Sequence, residues 1–142
     1  LPSGNSVAAL NLLRLARITG NEEYDNRSNA ILDALSAIVG AYPAGSTALL
    51  CASLYQRNLG TEIVVAAGDG LNEMLVATRA YLPFTTLSVR GKGYEAMDRL
   101  APFTKAMEPV NGAATAYVCS KGACQQPVTD PAVLEEKLKT VY

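Results

Sequence analysis

The sequence predicts an α/β protein in which a helical N-terminal part is followed by a small, mostly parallel sheet with helical crossovers. Apolar residues recur at helical spacing throughout residues 1–60, whereas residues 61–142 alternate short β-branched runs with helical segments. Strands separated by helices usually lie parallel, because the helix carries the chain back to the end of the sheet where the previous strand began. We therefore predict a boundary at Gly60 between a helical domain and a small α/β lobe that ends in a helix.

The composition excludes several classes of function. The 142 residues include no His, so neither a histidine-dependent catalytic triad nor a His-containing metal site can form. The net charge of −1 argues against nucleic acid or an anionic membrane as a partner, since both require a basic surface. Charged residues make up 18% of the chain, against about 25% in an average soluble protein, so we expect part of the surface to be covered. We predict no metal and no cofactor.

Three helices are predicted in the first part, over residues 6–18, 22–42 and 47–59. Ser3 or Asn5 is placed to cap the first, Asn21 the second and Ser46 the third. The first and third helices are apolar nearly all round, which predicts that both are buried and that Cys51 lies in the core. Residues 34–56 carry no charge, but Gly40, Pro43 and Gly45 interrupt them. Two buried helices joined by a turn are therefore favoured over a membrane span.

The second part is predicted to contain strands over residues 62–67, 85–90 and 114–119. Helices are predicted over 71–82 and 94–100, and a last helix begins after Asp130-Pro131 and runs to about residue 140. The first strand is continuously apolar, which is typical of a strand covered on both faces. Gly68-Asp69-Gly70 follows this strand, but Glu73 stands where a dinucleotide-binding pattern needs a third glycine. An ordinary strand-to-helix turn is favoured over a phosphate site.

The three cysteines do not resemble the disulfide framework of a secreted protein, because their number is odd and small for this length. The chain begins at Leu1 without Met or a basic leader, which we interpret as a cut inside a longer cytoplasmic protein. Cys119 and Cys124 flank a four-residue loop and are predicted to lie opposite each other in a hairpin. We expect reduced structural thiols there; a disulfide and a reactive thiol near Lys121 are the alternatives.

Asn5 and Ser6 are the candidate ligand-binding residues. They begin a helix that is predicted to be buried, so their polar groups must cap the helix, bind water or face a cavity. Capping is the simpler interpretation. Most acidic residues lie in first helical turns or on polar faces, so no pair of carboxylates suggests acid–base catalysis.

The chain resembles the large thioredoxin-domain-containing proteins that include the spermatogenesis-associated thioredoxin-like protein. The resemblance covers essentially the whole chain and rests on the segments 2–16, 63–65, 100–103, 116–119, 124–125 and 127–131. Members of this family carry a thioredoxin-like domain, then an (α/α) toroid similar to that of N-acylglucosamine 2-epimerases, then a tail that this chain resembles. Residues 120–123 depart from the family, which often has an aromatic residue there.

The resemblance implies a C-terminal structural region that supplies closing helices of the toroid and has no activity alone. Its partner would be the rest of its own polypeptide, and a homodimer of the fragment is also possible. Two alternatives remain: Asn5 and Ser6 line a carbohydrate-binding cavity of the toroid, or Cys119 and Cys124 have a thiol redox role. Whether the whole protein is an enzyme stays open.

Overall fold

The computed structural model describes residues 1–58, 60–79, 82–120 and 122–139. The chain divides into two compact units, Leu1–Gly60 and Thr61–Tyr142. The division falls at the glycine where the sequence pattern changes from helical spacing to alternating strands and helices.

The first unit consists of three helices, and its capping residues determine where they begin and end. The Ser3 side chain accepts the Ser6 N–H, and Gly20 ends the first helix in the left-handed conformation with φ 70°. The Asn21 side chain accepts the Glu23 N–H and begins the second helix, as predicted. The helices are α1 (Gly4–Thr19), α2 (Glu22–Ala41) and α3 (Thr47–Asn58), with a 3₁₀ turn at Pro43–Ser46 between the last two. Ser46 belongs to this turn and donates to the Tyr42 carbonyl, so it is not the predicted cap of α3.

Helix α1 packs against α2 and α3 along one narrow stripe of mostly small residues. Ala9, Leu13 and Ala16 follow each other at spacings of three and four and are buried. The buried Ser28 hydroxyl of α2 donates to the Ala9 carbonyl at 2.9 Å, which requires the two helices to lie close together. Arg17 and Asp25 form an ion pair of 3.4 Å between the same helices.

The expectation that α1 and α3 are buried on most sides is wrong. Helix α1 exposes Val7 and Leu15, and α3 exposes Leu54. Cys51 is also exposed, so its assignment to the core is corrected. Its position explains this, because α3 buries the stripe formed by Leu49, Ala52 and Tyr55 and Cys51 lies outside that stripe.

The predicted break after α2 is present, since Pro43 begins the 3₁₀ turn. Within the described residues, we find no helix whose length and hydropathy would allow it to cross a membrane. The second half of α2 is nevertheless not buried as expected. Ile38 and Tyr42, one helical turn apart, expose 58% and 65% of their surface.

The second unit has a four-stranded mixed sheet with strand order β2-β1-β3-β4. Its elements are β1 (Thr61–Ala66), α4 (Leu71–Ala77), β2 (Thr85–Arg90), α5 (Ala96–Leu100), a 3₁₀ turn at Pro102–Ala106, β3 (Thr115–Ser120), β4 (Ala123–Cys124) and α6 (Pro131–Lys139). The α/β class is confirmed, and β2 has its predicted bounds. Helix α4 ends earlier than predicted. Residues 80, 81 and 140 of the predicted helices, and the predicted end of α3 at residue 59, lie outside the described residues.

The mostly parallel sheet is corrected by the direction of β3. Strands β1 and β2 are parallel, as predicted, with α4 between them, but β3 is antiparallel to β1 and β4 is antiparallel to β3. The Asp69 N–H donates to the Gly112 carbonyl, and the Ala114 N–H donates to the Asp69 carbonyl. These two bonds form a parallel bridge between Asp69 and Ala113, and they place the start of β3 beside the end of β1.

The core of the second unit lies between one face of the sheet and helices α4 and α6. Ile63 and Val65 of β1 are buried there against Met74, Leu134 and Leu138. Val64, which projects from the opposite face, is only 3% exposed. Strand β1 is therefore covered on both faces, as its continuous apolar run predicted.

Gly68 should not tolerate a side chain. A Cβ atom there would lie 2.5 Å from the Gly112 carbonyl oxygen and 2.8 Å from backbone atoms of residues 113 and 114. We expect Gly68→Ala to lower the free energy of unfolding by about 1–3 kcal/mol, since backbone must shift to relieve the contact. Denaturant unfolding followed by circular dichroism measures this. The control is Gly40→Ala, where nothing lies within 4 Å. An unchanged stability of Gly68→Ala would show that the two loops do not pack as described.

Candidate functional site

The helical unit contains a cavity of about 600 Å³ where α1 begins and α2 ends. The start of the chain, the second half of α2 and the turn that leads into α3 form its walls. The lining residues are Leu1, Pro2, Ser3, Asn5, Ser6, Leu35, Ile38, Ala44, Gly45, Ser46, Thr47, Ala48 and Leu49. Both candidate ligand-binding residues, Asn5 and Ser6, are therefore on the wall of one cavity.

The two residues differ in their roles at the helix start. Ser3 is the cap of α1, and its Oγ lies 2.7 Å from the Ser6 Oγ as well as accepting the Ser6 N–H. Ser6 is buried, and the contact between its hydroxyl and that of Ser3 fixes the orientation of its side chain. Asn5 is exposed and does not cap the helix. The capping interpretation is therefore correct for Ser3 and wrong for Asn5.

The cavity wall combines hydroxyl and amide groups with aliphatic side chains. Ser3, Asn5, Ser6, Ser46 and Thr47 supply the polar side chains, and none of the lining side chains is charged. Such a wall can hydrogen-bond a neutral ligand, but it offers no group for acid–base catalysis. The chemistry that this cavity supports is binding.

The second candidate site is the Cys119–Cys124 pair, and the structure joins the two residues in a disulfide. The expectation of reduced thiols is thereby corrected. Cys119 on β3 and Cys124 on β4 are directly paired, with Cα atoms 3.9 Å apart. The Gln125 N–H bonds to the Val118 carbonyl at 2.9 Å, next to the cysteine pair. In an antiparallel ladder this makes the cysteines a non-hydrogen-bonded pair, the kind in which side chains come closest.

The predicted hairpin is present, but its turn is shorter than expected. Pairing continues from the cysteines to Ser120 and Ala123, which leaves two residues for the turn instead of four. Gly122 in this turn has φ 76°, a conformation that favours glycine. Lys121, proposed as a neighbour of a reactive thiol, lies outside the described residues.

Sequence reasoning missed Glu62 as a neighbour of the disulfide. Glu62 on β1 pairs with Cys119 on one side and with Thr86 of β2 on the other. Directly paired residues project from the same face of a sheet, so a carboxylate and the disulfide share one row across it. No local sequence signal reveals this, because the row depends on the register of strands far apart in the chain.

The Gly68-Asp69-Gly70 segment forms a turn between β1 and α4. This is the interpretation that the sequence favours over a phosphate site. The segment's backbone bonds to the loop before β3, and the helix that follows has only seven residues. Within the described ranges, no group of three or more Cys, Asp and Glu lies close enough to hold a metal ion.

Among the described residues, Glu95 and Lys139 have shifted pKa values, and both lie away from the cavity and the disulfide. The Gly93 N–H donates to the Glu95 carboxylate at 2.8 Å and lowers its pKa. A hydrogen bond to Glu136 raises the pKa of Lys139. Both groups are exposed and stabilise a loop and a helix end locally.

The comparisons with known proteins identify relatives of much greater length. Spermatogenesis-associated protein 20 of Homo sapiens is 31% identical over 142 residues, which cover 96% of this chain and 18% of the relative. The protein of the same name in Rattus norvegicus is 30% identical with the same coverage. An uncharacterized protein of Caenorhabditis elegans is 30% identical over 139 residues, covering 95% of this chain and 19% of its own length. No protein-family model and no solved structure matches. The chain thus spans less than a fifth of the relatives that it matches.

The different roles of Ser3 and Asn5 can be separated by stability. Ser3→Ala removes the cap of α1 and should lower the free energy of unfolding by about 0.5–2 kcal/mol. Asn5→Ala, two positions away, should change it by no more than about 0.5 kcal/mol, because Asn5 is exposed and is not the cap. Denaturant unfolding of both variants makes the comparison. A larger loss for Asn5→Ala than for Ser3→Ala would reverse the assignment.

Proposed function

We propose that this chain is a non-catalytic C-terminal structural region of a larger thioredoxin-domain-containing protein. In this proposal, α1 to α3 are closing helices of an (α/α) toroid, and the second unit is a small lobe attached to it. The observation that carries the proposal is the coverage: 96% of the chain aligns with 18% of the human relative. A cytoplasmic location belongs to the same proposal, and fractionation of cells that make the full-length protein tests it.

The exposed apolar side chains of the helical unit support this proposal. Val7 and Leu15 lie two turns apart on α1, and Leu54 lies on α3, each 41–48% exposed. In this proposal, these side chains are covered in the full-length protein, which would remove their apolar area from water. The partner in this proposal is the remaining part of the same polypeptide.

A second candidate function is binding of a carbohydrate-like ligand in the toroid. The cavity of about 600 Å³ favours it, because Asn5, Ser6 and three other hydroxyl-bearing residues line one wall together with aliphatic groups. Hydroxyl and amide groups suit the hydroxyls of a neutral sugar, and aliphatic side chains suit its ring face. In this case the chain contributes part of a binding site that the rest of the protein completes.

The structural proposal predicts that the chain associates through its helical unit. Alone, it should form dimers or larger species by light scattering, or bind a hydrophobic dye, because exposed apolar area is removed from water on association. The double variant Leu15→Glu, Leu54→Glu should reduce both signals, whereas Gln126→Glu, at an exposed position of the second unit, should leave them unchanged. A monodisperse monomer that binds no dye would contradict the proposal.

The cavity proposal predicts that Asn5→Ala weakens ligand binding by the full-length protein. Loss of one hydrogen bond to a neutral ligand corresponds to about 0.5–1.5 kcal/mol, or roughly 2- to 12-fold in affinity. Calorimetry with a panel of neutral sugars measures this, and Asn11→Ala on the same helix is the matched control. Equal binding by both variants, or binding of no sugar by the unmodified protein, would end this candidate.

A further inference from the structure

The two cysteines of the disulfide differ in their exposure to solvent. Cys119, in the third strand of the sheet, is 2% exposed. Cys124 is exposed, as are the flanking residues Ala123 and Gln125, on a two-residue strand at the edge of the sheet. An external nucleophile can therefore reach Cys124 but not Cys119.

We propose that the Cys119–Cys124 disulfide is a thiol–disulfide exchange site at which an external thiolate attacks Cys124 and Cys119 is the leaving sulfur. The thiolate forms a bond to the Cys124 Sγ, and the bond between the two cysteines breaks. The electron pair passes to the Cys119 Sγ, which takes a proton from water. A second thiol of the reductant attacks the reductant's own sulfur in the mixed disulfide and releases the Cys124 thiol. The reductant is oxidised to a disulfide, and the chain gains two electrons and two protons.

The surrounding backbone allows this cycle without unfolding the unit. The buried Val128 bonds to Ala116 through both its N–H and its carbonyl, at 2.9 and 2.8 Å. This pair anchors the chain after the hairpin independently of the disulfide. The reduced form should therefore keep its fold, which a reversible exchange site requires.

The sequence provides a direct test of the direction of attack. Trypsin cleavage at Lys105, Lys121 and Lys137 places Cys119 on the peptide 106–121 and Cys124 on the peptide 122–137. The full chain is used with Cys51→Ser, which removes the other exposed thiol. The oxidised protein is treated with reduced glutathione, quenched with acid, alkylated, digested and measured by mass spectrometry.

We expect the amount of glutathione adduct on the Cys124 peptide to be on the order of ten times that on the Cys119 peptide. An adduct mainly on the Cys119 peptide, or equal amounts on both, would overturn the direction. Persistence of the disulfide under thiol concentrations that reduce the urea-unfolded protein would overturn the exchange site itself.

Two single variants provide an independent measurement in the same Cys51→Ser background. Cys119→Ser leaves the exposed Cys124 thiol, and Cys124→Ser leaves the buried Cys119 thiol. The first should react with an aromatic disulfide reagent on the order of ten times faster than the second. Circular dichroism verifies that both are folded. A faster reaction of Cys119 in a folded variant would contradict the proposal.

Discussion

Strand β1 has to satisfy backbone hydrogen bonds on both edges and bury side chains on both faces, and the second unit is arranged around this constraint. Its edges are occupied by β2 in the parallel direction and β3 in the antiparallel direction. Ile63 and Val65 require an apolar cover, which α4 and α6 supply. The disulfide follows from the same arrangement, because β3 presents Cys119 next to Glu62 and leaves its other edge for β4.

The helical unit solves the problem of burial differently. Its helices pack through alanines, serines, a few leucines and Tyr55, and Ser28 bonds directly to the backbone of α1. Small residues allow a close approach but remove little apolar surface from water. Larger apolar side chains, such as Leu15, Ile38 and Leu54, lie outside this interface. The unit thus buries a few large apolar side chains, among them Leu13 and Tyr55, and leaves others in contact with solvent.

The sequence predicts the elements far better than their mutual arrangement. Residues that act locally begin or end the helices as expected. Ser3 and Asn21 cap the starts of α1 and α2, and Gly20 ends α1. The Asp130 side chain accepts the Ala132 N–H at the start of α6. These effects act within one helical turn, so they can be recognised without the fold.

What the sequence could not predict depends on contacts between distant residues. The antiparallel pairing of β1 with β3 joins residues about 50 positions apart, and Asp69 bonds to the loop at Gly112, 43 positions later in the numbering. The exposure of Cys51 depends on which stripe of an evenly apolar helix meets α1. The cavity at Asn5 and Ser6 requires the end of α2 to lie beside the start of α1. None of these contacts leaves a periodic pattern in the chain.

The disulfide contradicts an expectation that rested on an assumed cytoplasmic compartment. Reduced thiols were expected because cytosolic proteins seldom keep structural disulfides. The loop between Cys119 and Cys124 is short. Closing it stabilises the folded chain by less than the value for a 15-residue loop, which is about 3 kcal/mol. The hairpin is also held by the Gln125–Val118 hydrogen bond and by the Val128–Ala116 pair. Stability therefore gives little reason for the two cysteines to be directly opposed, whereas the proposed exchange needs one accessible sulfur, which Cys124 on the edge strand supplies.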